Sequence, residues 1–134
     1  MNSTRVFSLA WIGGIPIAII NAAIRTYLFL PSTNELTAHQ LSSLTMILIF
    51  AAYFYGLNKR WPITSEKQAL TIGTIWLILT ILFEFVFGHY VMGHTWSHLL
   101  HDYNIFAGRL WSLVLLWNFI GPYIIFQIGK NQAV

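Results

Sequence analysis

Four stretches of about 20 mostly apolar residues follow one another along this chain, and they constrain its fold more than any other feature. Each stretch is long enough, as a helix, to cross about 30 Å of hydrocarbon. Of the 134 residues, 57% are hydrophobic and only 8% are charged, whereas roughly a quarter of a soluble domain is charged. The sequence therefore predicts an all-α integral membrane protein and excludes a water-soluble monomer.

The predicted fold is one transmembrane domain, a four-helix bundle that occupies residues 1–134. Small residues recur every four positions in the first apolar stretch, at Gly14, Ala18 and Ala22, and such a face lets membrane helices approach closely. We expect that face to be packed rather than exposed to lipid. The spans are predicted at about 6–30, 38–57, 66–87 and 109–128.

Two capping signals predict where the second and third spans begin. Thr37 is followed three residues later by Gln40, and Ser65 is followed by Gln68. This spacing is typical of a capping box, in which each side chain hydrogen-bonds to the backbone N–H of the other. Each span is therefore expected to start at its capping residue.

The connection over residues 88–108 is too polar to span a membrane and too aromatic for a plain loop. The spacing predicts an amphipathic helix at the interface, with His94, His98 and His101 on the stripe that faces away from lipid. Imidazoles three or four residues apart can share a divalent metal, with His89 as a further ligand. A solvated polar face without metal remains the alternative.

The distribution of Lys and Arg predicts the orientation. Cytoplasmic loops carry an excess of these residues, and here five lie on the side of the termini against two on the other side. Both termini are therefore predicted to be cytoplasmic, with the histidine-rich connection outside. The five are Arg5, Lys59, Arg60, Lys67 and Lys130, and the two are Arg25 and Arg109.

Ionisable and polar groups gather at the predicted outer ends of the helices. Arg25 and Glu84 lie at matching depth in the first and third spans, where a charge in hydrocarbon is costly and marks a functional site. We expect an outward-facing polar pocket. The alternative is that Arg25–Glu84 and Asp102–Arg109 are ion pairs that only hold helices together. The expected pocket residues are Arg25, His39, Glu84, Tyr90, Asp102, Asn104 and Arg109.

Four runs extend from the third span through the connection to the start of the fourth span: QALTIG, FEFVFGHYVMG, HDYN and GRLW. On these runs the chain resembles a family of small bacterial integral membrane proteins with four helices. The resemblance implies a location in the bacterial inner membrane, and it brings no activity, catalytic residue or cofactor with it.

Three functions stay open at this point. The first is a pocket that binds a small polar ligand or ion, in a transport-related role, and this non-enzymatic role is favoured. The second is a histidine-dependent metalloprotein or an enzyme of the outer leaflet, and a haem b held by His39 and His89 is a less favoured variant of it. The third is a non-catalytic subunit of a larger membrane complex.

The expected partners are the lipid bilayer and either a second copy of the chain or a larger membrane complex. Nucleic acid is not an expected partner, because the cationic residues are scattered rather than clustered. The chain has no cysteine, which excludes disulfides and thiolate metal sites.

Overall fold

The computed structural model describes residues 2–101 and 110–132 of the chain, without the side chains of residues 111, 131 and 132. Over these residues the chain is all-helical, as predicted, and four of its helices are long and apolar enough to cross a membrane. The helices are α1 (Ser3–Ser32), α2 (Glu35–Arg60), α3 (Glu66–Val91), α4 (Trp96–His101) and α5 (Trp111–Gln132).

Helix α2 begins earlier than its predicted capping box. Its N-cap is Asn34, whose side-chain oxygen accepts a 2.9 Å hydrogen bond from the backbone N–H of Thr37. The prediction of a capping box at Thr37 with Gln40 is therefore wrong. Asparagine is a stronger N-cap than threonine, and starting at Glu35 places an acid in the first turn, where the helix dipole favours it.

Helix α3 begins where the sequence predicts. The Oγ of Ser65 accepts a 3.1 Å hydrogen bond from the backbone N–H of Gln68. In a capping box the side chain of Gln68 would accept from the backbone N–H of Ser65. Here its Oε1 accepts instead from the backbone N–H of the preceding residue, Thr64, at 2.8 Å. The cap is therefore confirmed, with a variation in its second hydrogen bond.

Two of the long helices widen into a five-residue π-helical turn, at Arg25–Phe29 in α1 and at Phe87–Val91 in α3. The second turn carries α3 four residues beyond its predicted end at residue 87. Gly93 then breaks the helix with a φ of 73°, a backbone conformation that favours glycine.

Over the described part of the connection, the prediction of one continuous amphipathic helix is therefore wrong. Residues 88–91 belong to α3, and the separate short helix α4 starts only at Trp96. His94 consequently lies before α4 rather than on it.

The densest part of the core surrounds Trp76 at the middle of α3. Its indole N–H donates a 2.9 Å hydrogen bond to the backbone carbonyl of Phe7. Its ring makes edge contacts with Phe50 and Phe54, at centroid distances of 5.5 and 4.7 Å. These contacts join α1, α2 and α3, and they make Trp76 a packing residue of the core.

Helices α3 and α5 approach most closely at Gly73. A Cβ built at this position would collide with the backbone carbonyl of Phe119. Only glycine therefore allows this approach, as is common where membrane helices cross. The small face of α1 is packed at Gly14, which is buried against Phe50 and Trp76.

The outward-facing side chains of the long helices are largely apolar. Ile20, Leu48 and Leu82 are 60%, 70% and 56% exposed. In a chain with four helices apolar enough to cross a membrane, this surface is suited to contact with lipid rather than water.

The two ends of the bundle differ in character. We call the end with the start of α1 and the α2–α3 connection the terminal end. It is tied by a 2.7 Å hydrogen bond from Ser3 to the carbonyl of Pro62. We call the opposite end, with the α1–α2 turn and α4, the far end. Both π-helical turns lie toward the far end.

Candidate functional site

A cavity of about 230 Å³ opens at the far end of the bundle, and we call it the far-end cavity. Helices α1, α2 and α3 and the segment before α4 all contribute to its wall. Its polar lining consists of Asn21, Arg25, His39, Glu84 and His94. The structure therefore brings together three residues of the predicted pocket, Arg25, His39 and Glu84, and one predicted metal ligand, His94.

Each of these side chains is positioned by its place on a helix. Arg25 opens the π-helical turn of α1, and Glu84 lies three residues before the π-helical turn of α3. His39 is in the second turn of α2 and is only 7% exposed. π-Helical turns like those at Arg25 and beyond Glu84 are frequent at functional sites, because the extra residue redirects the side chains around it.

The floor of the far-end cavity contains a buried amide. Nδ2 of Asn21 donates to Oγ of Ser42 at 2.8 Å and to the carbonyl of Ser42 at 3.1 Å. A carbonyl oxygen only accepts, so the amide orientation is fixed, and the Oδ1 of Asn21 is left buried without a hydrogen bond. Buried acceptors of this kind usually pair with water or a bound group.

A second cavity, of about 180 Å³, lies at the mouth of the far-end cavity and shares Arg25, His39 and His94 with it. Glu35 and His98 complete its charged and titratable lining. The rings of His94 and His98 are 4.6 Å apart between centroids. The mouth is therefore lined by carboxylate, guanidinium and imidazole groups.

A third cavity, of about 130 Å³, lies deeper in the bundle, and we call it the deep chamber. It shares Ala18, Phe83 and Glu84 with the far-end cavity. Its wall is mainly aromatic and apolar, with Thr80 and Asn118 as polar exceptions. The three cavities thus form a series from the far end to the middle of the bundle.

His89 is held in place by its neighbours. Its ring stacks on Trp96 at a centroid distance of 3.7 Å, and its Nδ1 lies 2.8 Å from the carbonyl of His94. Because a carbonyl only accepts, Nδ1 of His89 is the donor in this contact. The apolar side of α4 therefore packs on α3, as the close contact of Leu99 with Gly88 also indicates.

The other predicted site residues are more dispersed. Tyr90 is 73% exposed, and His101 is exposed at the end of α4. Asp102, Asn104 and Arg109 lie outside the described residues. Within residues 2–101 and 110–132, no group of three or more metal-ligating side chains comes together.

Asn21 and Asn118 make hydrogen bonds between helices, and both also line cavities. The sequence analysis identified neither of them as a site residue, and it missed Thr80 and Trp11 beside Asn118. The signal was a threonine and an indole N–H within apolar spans, where polar groups need partners.

Comparisons of the chain with protein-family models, with curated proteins and with solved structures gave no match.

Proposed function

We propose that this chain is a multi-pass protein of the bacterial inner membrane whose far-end cavity binds a small polar ligand or ion from the outer side, in a transport-related role. The observation that carries this proposal is the series of three cavities that share lining residues. Arg25, His39 and His94 join the mouth to the far-end cavity, and Glu84 joins the far-end cavity to the deep chamber.

The chemistry of the lining supports a polar ligand. A cation, a carboxylate and two imidazoles face one space of about 230 Å³, which is enough for several water molecules or a small solute. Charges at this depth in a membrane are costly, and where they occur they commonly mark a ligand or ion site. The lining therefore favours a hydrated binding site over a purely structural contact.

The basic residues at the terminal end support the proposed orientation, with that end in the cytoplasm. Lys59 and Arg60 close α2 there, and Lys67 lies in the first turn of α3. Since basic residues accumulate on the cytoplasmic side, the far-end cavity would open outward.

A stability cycle at Arg25 and Glu84 tests the proposal. If Glu84 lies in a hydrated pocket, Glu84→Gln and Arg25→Met each change thermal stability little, and their effects add in the double variant. If the two residues only brace the helices, Glu84→Gln alone costs about 3–5 kcal/mol and the double variant recovers most of it. The second result would contradict the proposal. Glu66→Gln, at an exposed carboxylate of the terminal end, is the matched control.

A divalent metal at the mouth is the second candidate, and the 4.6 Å separation of the His94 and His98 rings favours it. Equilibrium dialysis of metal-free protein against zinc tests it. About one ion should bind, and the paired change His94→Ala with His98→Ala should abolish binding. Unchanged uptake in that variant would exclude the pair as ligands.

A further inference from the structure

The deep chamber contains a buried amide that the proposed function does not use. The side chain of Asn118 is fully buried, and its Oδ1 makes no hydrogen bond with the part of the chain that the structure describes. The chamber wall around it is formed mainly by rings, those of Trp11, Phe50, Trp76 and Phe83. An unpartnered polar atom in an otherwise apolar cavity is the usual arrangement of a small-molecule site.

The hydrogen bonds around Thr80 show that this amide cannot be satisfied by its neighbours. Oγ1 of Thr80 accepts from Nε1 of Trp11 at 3.0 Å and from Nδ2 of Asn118 at 3.2 Å. The indole N–H can only donate, so Thr80 must accept it. Turning the amide over would let Thr80 donate to its oxygen, but the amide NH₂ would then be unpartnered. Either orientation leaves one polar group of Asn118 available to a ligand.

The size of the chamber limits that ligand to one ring. Its volume is about 130 Å³, and an apolar cavity of about 150 Å³ engineered into another protein binds benzene. The aromatic walls favour a flat ring, which can stack or make edge contacts with them. A fused two-ring ligand would exceed this volume.

A second polar group lies at the other end of the chamber. Glu84 follows Thr80 by four residues on α3, so the two lie about 6 Å apart along the helix axis. Both line the chamber. Since Asn118 is hydrogen-bonded to Thr80, a benzene ring with polar groups at opposite ends is suited to this separation.

We propose that the deep chamber binds a monocyclic phenol, with the hydroxyl group donating to Oδ1 of Asn118 and a second donor, para to it, facing Glu84. The ligand enters through the far-end cavity, which shares Ala18, Phe83 and Glu84 with the chamber. The proposal shares Glu84 with the far-end cavity, but it rests on Asn118 and the aromatic wall rather than on Arg25 and His39.

Saturation-transfer NMR on the protein in detergent, under argon, tests this with three probes: benzene, phenol and hydroquinone. Hydroquinone should bind most tightly and benzene most weakly, because a site built to pair a hydroxyl rejects the analogue without it. Asn118→Leu should weaken phenol binding about tenfold, the loss expected for one hydrogen bond. Gly14→Val should also weaken it, since the added methyl groups reduce the chamber volume.

Asn58→Leu, the same change at the terminal end, is the matched control, and it should leave phenol affinity within about twofold. Equal binding of benzene and hydroquinone would overturn the proposal, as would unchanged phenol binding in Asn118→Leu. If phenol binds as expected while the Arg25–Glu84 cycle gives the bracing result, this inference stands and the proposed function fails.

Discussion

Nδ2 of Asn21 on α1 donates a 2.8 Å hydrogen bond to Oγ of Ser42 on α2, beneath the far-end cavity. Both residues are buried, at 2% and 0% exposure. The bond fixes the two helices whose outer turns carry Arg25 and His39, and so it supports the cavity from below.

We expect this pair to be energetically coupled. In a double-mutant cycle of Asn21→Ala and Ser42→Ala, the coupling free energy should be about 0.6 kcal/mol and at most about 1.7 kcal/mol, the mean and the maximum measured for hydrogen bonds between membrane helices. Thermal or denaturant unfolding of the four proteins in detergent measures it. Strictly additive effects would mean that the bond contributes nothing to stability.

The second prediction concerns the crossing of α3 and α5. Gly73→Ala should destabilise the protein severely, because the added Cβ would collide with the carbonyl of Phe119, which is backbone and cannot rotate away. Gly56→Ala is the control. A Cβ there meets nothing within 4 Å, so helix propensity alone should stabilise it by up to about 1 kcal/mol. Equal effects of the two substitutions on the melting temperature would contradict this packing.

The third prediction is the topology. A reporter that is active only in the cytoplasm, fused after Val134, should be active, and one inserted after Ser32 in the α1–α2 turn should be inactive. The reason is the excess of Lys and Arg at the terminal end. Activity at the turn and none at the C-terminus would reverse the orientation.

Much of the fold could be predicted from the sequence. Four long apolar runs can only be satisfied as spanning helices, because every backbone group must be paired within the membrane. The same reasoning placed Arg25 and Glu84 at one depth, and both line the far-end cavity. The cap at Ser65 followed from its local spacing.

The remaining features depend on how the helices are rotated and where they are deformed. Trp11, Thr80 and Asn118 meet because α1, α3 and α5 turn these faces toward one another, which no pattern within a single helix can show. The π-helical turns at Arg25–Phe29 and Phe87–Val91 have no simple sequence signature. The break at Gly93 was not predicted either, although its φ of 73° is a conformation that favours glycine.

The central claim is that the far-end cavity is open to water from the outer side, and cysteine labelling tests it most directly. The chain has no native cysteine, so Ala22→Cys and Ala23→Cys each introduce a single thiol. Ala22 lines the cavity, whereas its neighbour Ala23 is exposed on the outer surface of α1, about 100° around the helix.

A membrane-impermeant, water-soluble thiol reagent is added to intact cells, and the labelled fraction is measured. The account predicts that Ala22→Cys reacts from outside and that Ala23→Cys, which faces lipid, does not. Failure of Ala22→Cys to react, reaction only in inverted vesicles, or equal reaction of the two variants would contradict it.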